Sequence, residues 1–293
     1  MGEKTGIEYV DSTWNPWIGC TPVSEGCENC YARRIWKQLG IKPGEIRKSK
    51  TKFDMPVKLR RDGEYVLPSG TWVFPGSITD FWHPDVPHEW RHDAMLMIAH
   101  RTDLVFVIVT KRPEFALEYH EKYGFPDSGN IILMATTENQ KQAGIRIPPL
   151  IELKERIDWL QIGVSAEPLL ECLAITSQLD WCIIGGESGP NARPMSYYWA
   201  SDLIQYCQNY SIPVFFKQWG AWKPMHQGTG YVDHNLFMQR VEKKEWGYFD
   251  HKGFHTNESS MFCSVEEMYL KVGKKKSGKT IHDREYRELP ERS

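Results

Sequence analysis

Cysteine is scarce in this chain: there are seven in 293 residues, an odd number. Four of them, Cys172, Cys182, Cys207 and Cys263, stand alone, so the pattern excludes the paired framework of a disulfide-stapled secreted domain. Long hydrophobic runs are missing too. Nothing approaches the roughly 18 apolar residues of a membrane-spanning helix, and the opening MGEKTGIEYVDSTW has no apolar core of a signal peptide. The expectation is a cytoplasmic protein with no membrane partner. Nor is there an excess of one charge, since 36 Lys and Arg face 38 Asp and Glu for a formal net charge of -2. That excludes global attraction to nucleic acid and confines any such contact to a local patch. Internal repeats and low-complexity linkers are also absent.

What remains is ordinary globular composition, 41% apolar and 25% charged, in a chain long enough for one large α/β domain with an extension. The 12 Trp are unusual. Many lie near the turn-rich ends of apolar runs, where flat aromatics either line a site or fill core and rim.

Seven short β-like runs recur: 7–11, 72–80, 104–112, 130–138, 159–167, 181–188 and 213–220. Runs so continuously apolar suggest strands covered on both faces, as in a parallel sheet. Between them lie helical patterns. Trp90, Ala94, Met97 and Ile98 form one buried stripe, and Trp199, Leu203, Ile204 and Cys207 another. Repeated β-then-α units predict an open doubly wound sheet or a partial or complete (β/α) barrel over 1–220. The segment 221–293 reads as an extension with a mixed helix around VEEMYLKV and a flexible basic loop at 271–279.

Polar residues collect where the runs end: Ser77, Thr79 and Asp80; Thr110, Lys111 and Arg112; Thr136, Thr137 and Glu138; Ser165 and Glu167; Glu187 and Ser188; Lys217 and Gln218. Six such ends in succession are what the C-terminal mouth of a barrel looks like in sequence. Lys111, Arg112, Arg193 and Lys217 would give that mouth a cationic rim suited to carboxylates or phosphates, or would be solvated surface charge, the better account for Arg112.

The remaining cysteines, Cys20, Cys27 and Cys30, fall in GCTPVSEGCENC directly after the first run, which places them at the same mouth. Metal or redox chemistry is the reading that survives. Three thiolates with His83 or His88 would complete a zinc site, and a three-cysteine zinc site with His83 or Asp80 would serve a metal-dependent hydrolase. Three thiolates would equally hold a [4Fe-4S] cluster with one iron open.

The C-x6-C-x2-C spacing resembles the cluster loop of radical S-adenosylmethionine (SAM) enzymes, whose commonest spacing has a shorter first gap. The blocks TWNPWIGCTPVSEGCENCYA, GSITDFWHPDVP, VTKRPE, SAEPLL, IIGGESGPNARPM, VFFKQWG and KVGKKKSGK together resemble a phage and bacterial three-cysteine-motif family, a domain of unknown function. GSITDFWHPDVP is also similar to the second-strand motif of the spore-photoproduct-lyase-like branch of radical SAM proteins.

The resemblance implies a barrel enzyme in which Cys20, Cys27 and Cys30 ligate the cluster. Its open iron would bind SAM and generate a 5′-deoxyadenosyl radical for hydrogen abstraction. Ser77, Thr79 and Asp80 would bind the SAM amino group. Gly185 and Gly186 would offer backbone to adenine or ribose, Glu187 would take a hydroxyl, and Thr137, Glu138 and Arg193 would complete the cofactor site. Lys111, Glu167 and Lys217 are the catalytic candidates. The substrate would be an unknown molecule, a nucleotide or nucleic acid among the options, with loop 271–279 on phosphates. A reductant for the cluster and a protein partner are further expected partners, the latter in particular if the chain is a non-catalytic Fe-S module.

Overall fold

The central strands form because their sequences are β-branched and aromatic at consecutive positions, VFVIVT and IILMAT being examples, and every such position has a covered face to occupy. In the computed structural model, which describes residues 5–225, 239–240, 242–243, 245–250, 253–256 and 267–291, seven strands make one sheet. They are β1 (Ser12–Trp14), β2 (Trp72–Pro75), β3 (Val105–Thr110), β4 (Ile131–Thr136), β5 (Gln161–Ala166), β6 (Trp181–Gly185) and β7 (Val214–Gln218). They pair in chain order and all in parallel. A doubly wound sheet reverses its order at a switch point. This one does not, and β1 and β7 are not paired with each other, so the architecture is a partial (β/α) barrel.

Helices α1 (Ala32–Gln38), α2 (His88–His100), α3 (Pro113–Tyr123), α4 (Gln140–Arg156) and α5 (Tyr197–Asn209) fill the crossovers. Between β5 and β6 no helix forms; Leu169, Leu173 and Leu179 of that loop enter the core instead. The predicted stripes of α2 and α5 face the sheet, with Met95 rather than Met97 the buried methionine.

Alternation along the strands sorts the two faces. Phe106, Ile108, Leu133, Ile162, Ile184 and Phe216 pack outward on the helices. Val105, Val107, Ile132, Met134, Trp181, Ile183 and Phe215 point inward and form a separate apolar floor with Trp72 and Phe74. Two residues further along, the same inward register delivers Val109, Thr136 and Lys217 to a cavity at the C-terminal end. Of the tryptophans, Trp14, Trp17, Trp82, Trp181 and Trp219 are fully buried core residues, whereas Trp36 lines the cavity.

Three expectations about elements change. Residues 7–11 are not a strand: the Asp11 carboxylate accepts the Trp72 N–H at 2.8 Å while the Asp11 N–H donates to the Trp72 carbonyl at 2.9 Å, which turns the chain before β1. Tyr9 thereby inserts into the barrel, edge-on to Trp181 (5.8 Å) and Phe215 (5.7 Å). The VEEMYLKV segment is a strand where it is described, Glu267–Lys271, in a four-stranded antiparallel sheet with Trp222–Pro224, Trp246–Asp250 and Gly253–Thr256. It is paired on both sides, and inward Glu267 accepts hydrogen bonds from the Ser196 hydroxyl (2.6 Å) and the Tyr197 N–H (2.9 Å). Val265, Glu266 and Cys263 lie outside the described residues. The basic stretch contains a one-turn helix, Lys274–Ser277.

The tail returns to the barrel: the Phe216 N–H donates to the Tyr286 carbonyl and the Glu288 N–H to the Val214 carbonyl, both at 3.0 Å. Burial opposes ionisation of Glu8, but hydrogen bonds from Lys279 and Arg287 outweigh it and hold the carboxyl below its usual range. The N-terminal segment and the tail are thus clamped together. Among the described residues no helix is long and apolar enough to cross a membrane.

Candidate active site

The cysteine loop is built by close backbone contacts with the barrel mouth. Gly19 has φ +112°, and a Cβ there would sit 1.9 Å from the Glu45 carbonyl oxygen, so only glycine fits. Its carbonyl accepts the Thr79 hydroxyl at 2.5 Å, and its N–H reaches the Ile78 carbonyl at 3.4 Å. A 3-10 turn at Glu25–Cys27 follows, in which the Cys27 N–H donates to the Ser24 carbonyl (2.9 Å). Gly26 donates its N–H to Glu138 Oε1 at 3.3 Å, and Asn29 donates to Glu187 Oε2 at 3.0 Å. The loop therefore spans the mouth, tied to the ends of β2, β4 and β6.

Cys20, Cys27 and Cys30 are free, partly exposed, and line one cavity of about 560 Å3. Thr13, Gly76, Val109, Thr136, Ser165 and Lys217 form its wall and Tyr9 its floor. Among the described residues no three His, Cys, Asp or Glu side chains gather closely enough to hold a single metal ion. A cluster makes a different demand: each thiolate goes to its own iron, so three thiols spread around a shared cavity fit it better than they fit zinc. His83 supports the same distinction. Its Nδ1 accepts the Asp85 N–H (3.2 Å), so Nε2 carries the proton and meets the Thr21 hydroxyl (2.8 Å), leaving neither nitrogen open. His88 stacks on Tyr123 at 3.8 Å, at the start of α2.

Arg112 corrects the solvated-surface reading. It is 3% exposed, with Nη1 3.4 Å from Cys20 Sγ and 3.1 Å from Asp80 Oδ2, and Nη2 2.7 Å from the Thr21 carbonyl. A guanidinium can be buried here because its donors are spent on a carboxylate, a sulfur and a carbonyl. Burial and then Asp80 push the Cys20 thiol up to about 11, with Arg112 opposing them.

The residues expected to hold SAM divide. Asp80 lines the cavity, but its four acceptor positions are filled by the Trp82 N–H, the Thr110 hydroxyl, the Lys111 N–H and Arg112. It joins β2 to β3 rather than presenting a free carboxylate. Ser77 and Thr79 line the cavity too, with hydroxyls bound to Asn15 and Gly19. Glu138 is fully buried and lies outside the cavity lining, bonded to Arg146 at 2.7 Å. Burial raises its affinity for a proton, but Arg146 and Lys111 reverse this and hold it below the usual range. Thr137 is buried outside the lining and its hydroxyl has no hydrogen-bond partner among the described residues.

Gly186 borders the cavity where a Cβ would lie 2.2 Å from the Trp219 carbonyl oxygen, whereas Gly185 faces the Glu167 side chain. Glu187 accepts three bonds from Arg193, whose other donors reach Glu28 and the Glu25 carbonyl. Arg193 is thus a clamp on the cysteine loop. Of the catalytic candidates, Lys111, Glu167 and Lys217 all line the cavity. Lys217 Nζ lies 2.8 Å from both Glu167 oxygens and 5.6 Å from the centre of the Tyr9 ring.

Sequence reasoning missed Asn15, Tyr9 and Asn29 as neighbours of the site, whereas Lys274, which lines the cavity, belongs to the basic loop 271–279 expected on phosphates. Asn29 was the most accessible of these, since it sits between Cys27 and Cys30 in the quoted motif.

A partial (β/α) barrel with three thiols over its C-terminal mouth is the class of protein that fold and site define. The chain belongs to the family described as "Protein of unknown function (DUF5131)", whose model matches residues 4–290. No curated protein matches it. Among solved structures it is similar, distantly, to spore photoproduct lyase complexed with dinucleoside spore photoproduct: TM-score 0.43, 9% identity, 92% of this chain and 71% of that one covered. A mutant of that lyase with bound AdoMet and the dinucleoside photoproduct gives the same TM-score at 10% identity, with the same coverage of both chains.

Proposed function

We propose that this protein is a radical SAM-like iron-sulfur enzyme. The observation that supports the reading is the shared cavity: Cys20, Cys27 and Cys30 open into one space above the C-terminal strand ends, bordered by polar strand-end residues. Cys20, Cys27 and Cys30 would hold a [4Fe-4S] cluster there, which, once reduced by an external electron donor, would supply the electron for reductive cleavage of SAM and thus hydrogen abstraction from a substrate.

The chain's own residues set the geometry. Thr79, Glu138, Asn29 and Arg193 pin the loop from three strand ends, so the thiols are pre-positioned rather than gathered by the metal. Arg112 donates to Cys20 and places positive charge beside that sulfur. The apolar floor of Trp72, Phe74, Trp181 and Phe215 closes the barrel below and keeps water from entering that way. On the far side, Glu167 and Lys217 hold a fixed pair of opposite charges facing the cavity.

Anaerobic reconstitution with iron and sulfide tests the reading. We expect four irons and four sulfides per chain, as a [4Fe-4S] cluster requires, with a reduced-state electron paramagnetic resonance signal. Cys20→Ala, Cys27→Ala and Cys30→Ala should each lose it. Stoichiometric zinc with no sulfide would overturn the proposal.

A further inference from the structure

The cavity carries more positive charge than the chemistry above employs. Three carboxylates line it, Asp80, Glu167 and Glu187, and each is ion-paired, with Arg112, Lys217 and Arg193 in turn. Lys111 and Lys274 face the same space, and the Nζ of neither makes an ion pair or hydrogen bond with a described residue. In a chain of net charge -2 this is a local cationic excess, which a concave surface focuses.

The two lysines have different surroundings. Lys111 follows β3 between Thr110 and Arg112, on the side of Cys20. Lys274 starts the one-turn helix of the C-terminal extension, on the side of Lys217 and Glu167. Partial burial and then the Lys217 charge lower the Lys274 ammonium from its ordinary value, while Glu167 and Glu8 oppose them; both carboxylates are already engaged, Glu167 by Lys217 and Glu8 by Lys279 and Arg287.

An anion with several acceptor oxygens and more than one charge would satisfy that arrangement. A phosphate monoester carries about -1.5 to -2 charges with three acceptor oxygens, whereas a carboxylate carries one charge and two oxygens. Lys217, held by Glu167 and lying against Tyr9, is pre-oriented, while Lys274 reaches the cavity from a separate element.

We propose that the side of the cavity between Lys217 and Lys274 binds the phosphate of a phosphorylated substrate. This rests on the proposed enzyme only in naming the ligand a substrate; the anion site itself does not require the cluster.

Calorimetry at low ionic strength, on the full chain both as purified and after cluster reconstitution, tests it with inorganic pyrophosphate, thymidine 5′-monophosphate, a short oligothymidylate and succinate. Lys274 is exposed, so Lys274→Ala should fold normally, checked by thermal unfolding, and should weaken pyrophosphate binding about tenfold. Lys217→Arg, which keeps the charge but changes the donor geometry, should weaken it as well. Lys276→Ala, on the same helical turn but outside the cavity lining, should leave it unchanged.

A monophosphate binding as tightly as the oligomer supports a single phosphate ester. A tighter oligomer with a log-log salt slope near -0.7 per contacted phosphate supports a strand as the source of that group. Absent pyrophosphate binding, succinate binding as tight, or an equal loss in Lys276→Ala overturns the site. Pyrophosphate binding without SAM cleavage would instead remove the enzymatic reading and leave the anion site standing.

Discussion

Arg112 donates through Nη1 to Cys20 Sγ at 3.4 Å and to Asp80 Oδ2 at 3.1 Å, so one buried guanidinium links a cluster-ligand candidate to the end of the second strand. Hydrogen bonds to cluster sulfurs raise the reduction potential by stabilising the more negative, reduced state. Arg112→Lys should therefore shift the reconstituted cluster to more negative potential, read by an electron paramagnetic resonance titration. It should also lower stability, because Asp80 loses part of its pairing; removal of one partner from a buried pair costs about 3–5 kcal/mol.

Glu138→Gln removes the buried anion that pairs with Arg146 and receives the Gly26 N–H. Urea denaturation should show a loss of about 3–5 kcal/mol, and Glu138→Ala, which also removes the acceptor of the Gly26 N–H, should lower iron retention because the loop between Cys20 and Cys27 loses its anchor. Arg193→Ala acts on the other end of the loop. Since Arg193 is partly exposed, its stability cost should be smaller, about 1 kcal/mol, with iron loss the larger effect.

Stability should fall with acid in two stages. His83 is held below its ordinary value by burial and by Arg112, so the folded state binds its proton less readily than the unfolded chain does. That contribution is complete above the unfolded value of about 6.5 and is lost as pH drops below it. Glu138 and Glu187 are also depressed, burial opposing but Arg146 and Arg193 prevailing. Their contribution is present above the unfolded value of about 4.3 and disappears as pH falls through the folded ones. Urea midpoints measured from pH 8 to 3 should decline gently below about pH 6.5 and steeply below about pH 4, and Glu138→Gln should flatten the second stage.

Gly19→Ala should disrupt the loop more than any exposed substitution, since the new Cβ meets the Glu45 carbonyl and the residue must keep φ +112°. Reconstituted iron content should drop sharply while far-ultraviolet circular dichroism stays near wild type. Retention of full iron content would contradict the role given to that contact.

The barrel was legible because its strands are buried on both faces and read as unbroken apolar runs; VFVIVT could hardly be placed elsewhere. The cysteine cavity was legible for a related reason, since residues at successive strand ends must meet at one mouth. Short-range pattern failed where long-range pairing decides. VEEMYLKV is too short for periodicity to separate helix from strand, and its two neighbouring strands settle the question where it is described. Residues 7–11 alternate like a strand, but the Asp11 bonds to Trp72 turn the chain so that Ile7 and Tyr9 line the cavity. Arg112 looked like surface because Asp80, its partner, lies 32 residues away in sequence, and the basic loop 271–279 was expected on phosphates without showing that Lys274 is its member that lines the cavity.

Radical SAM chemistry is most directly tested by reducing the reconstituted protein with dithionite in the presence of SAM and separating the products by chromatography, with Cys27→Ala in parallel. We expect 5′-deoxyadenosine from the wild type and none from the variant, as that chemistry requires. A fully loaded wild-type cluster that yields no 5′-deoxyadenosine, with or without a phosphorylated ligand, would contradict it.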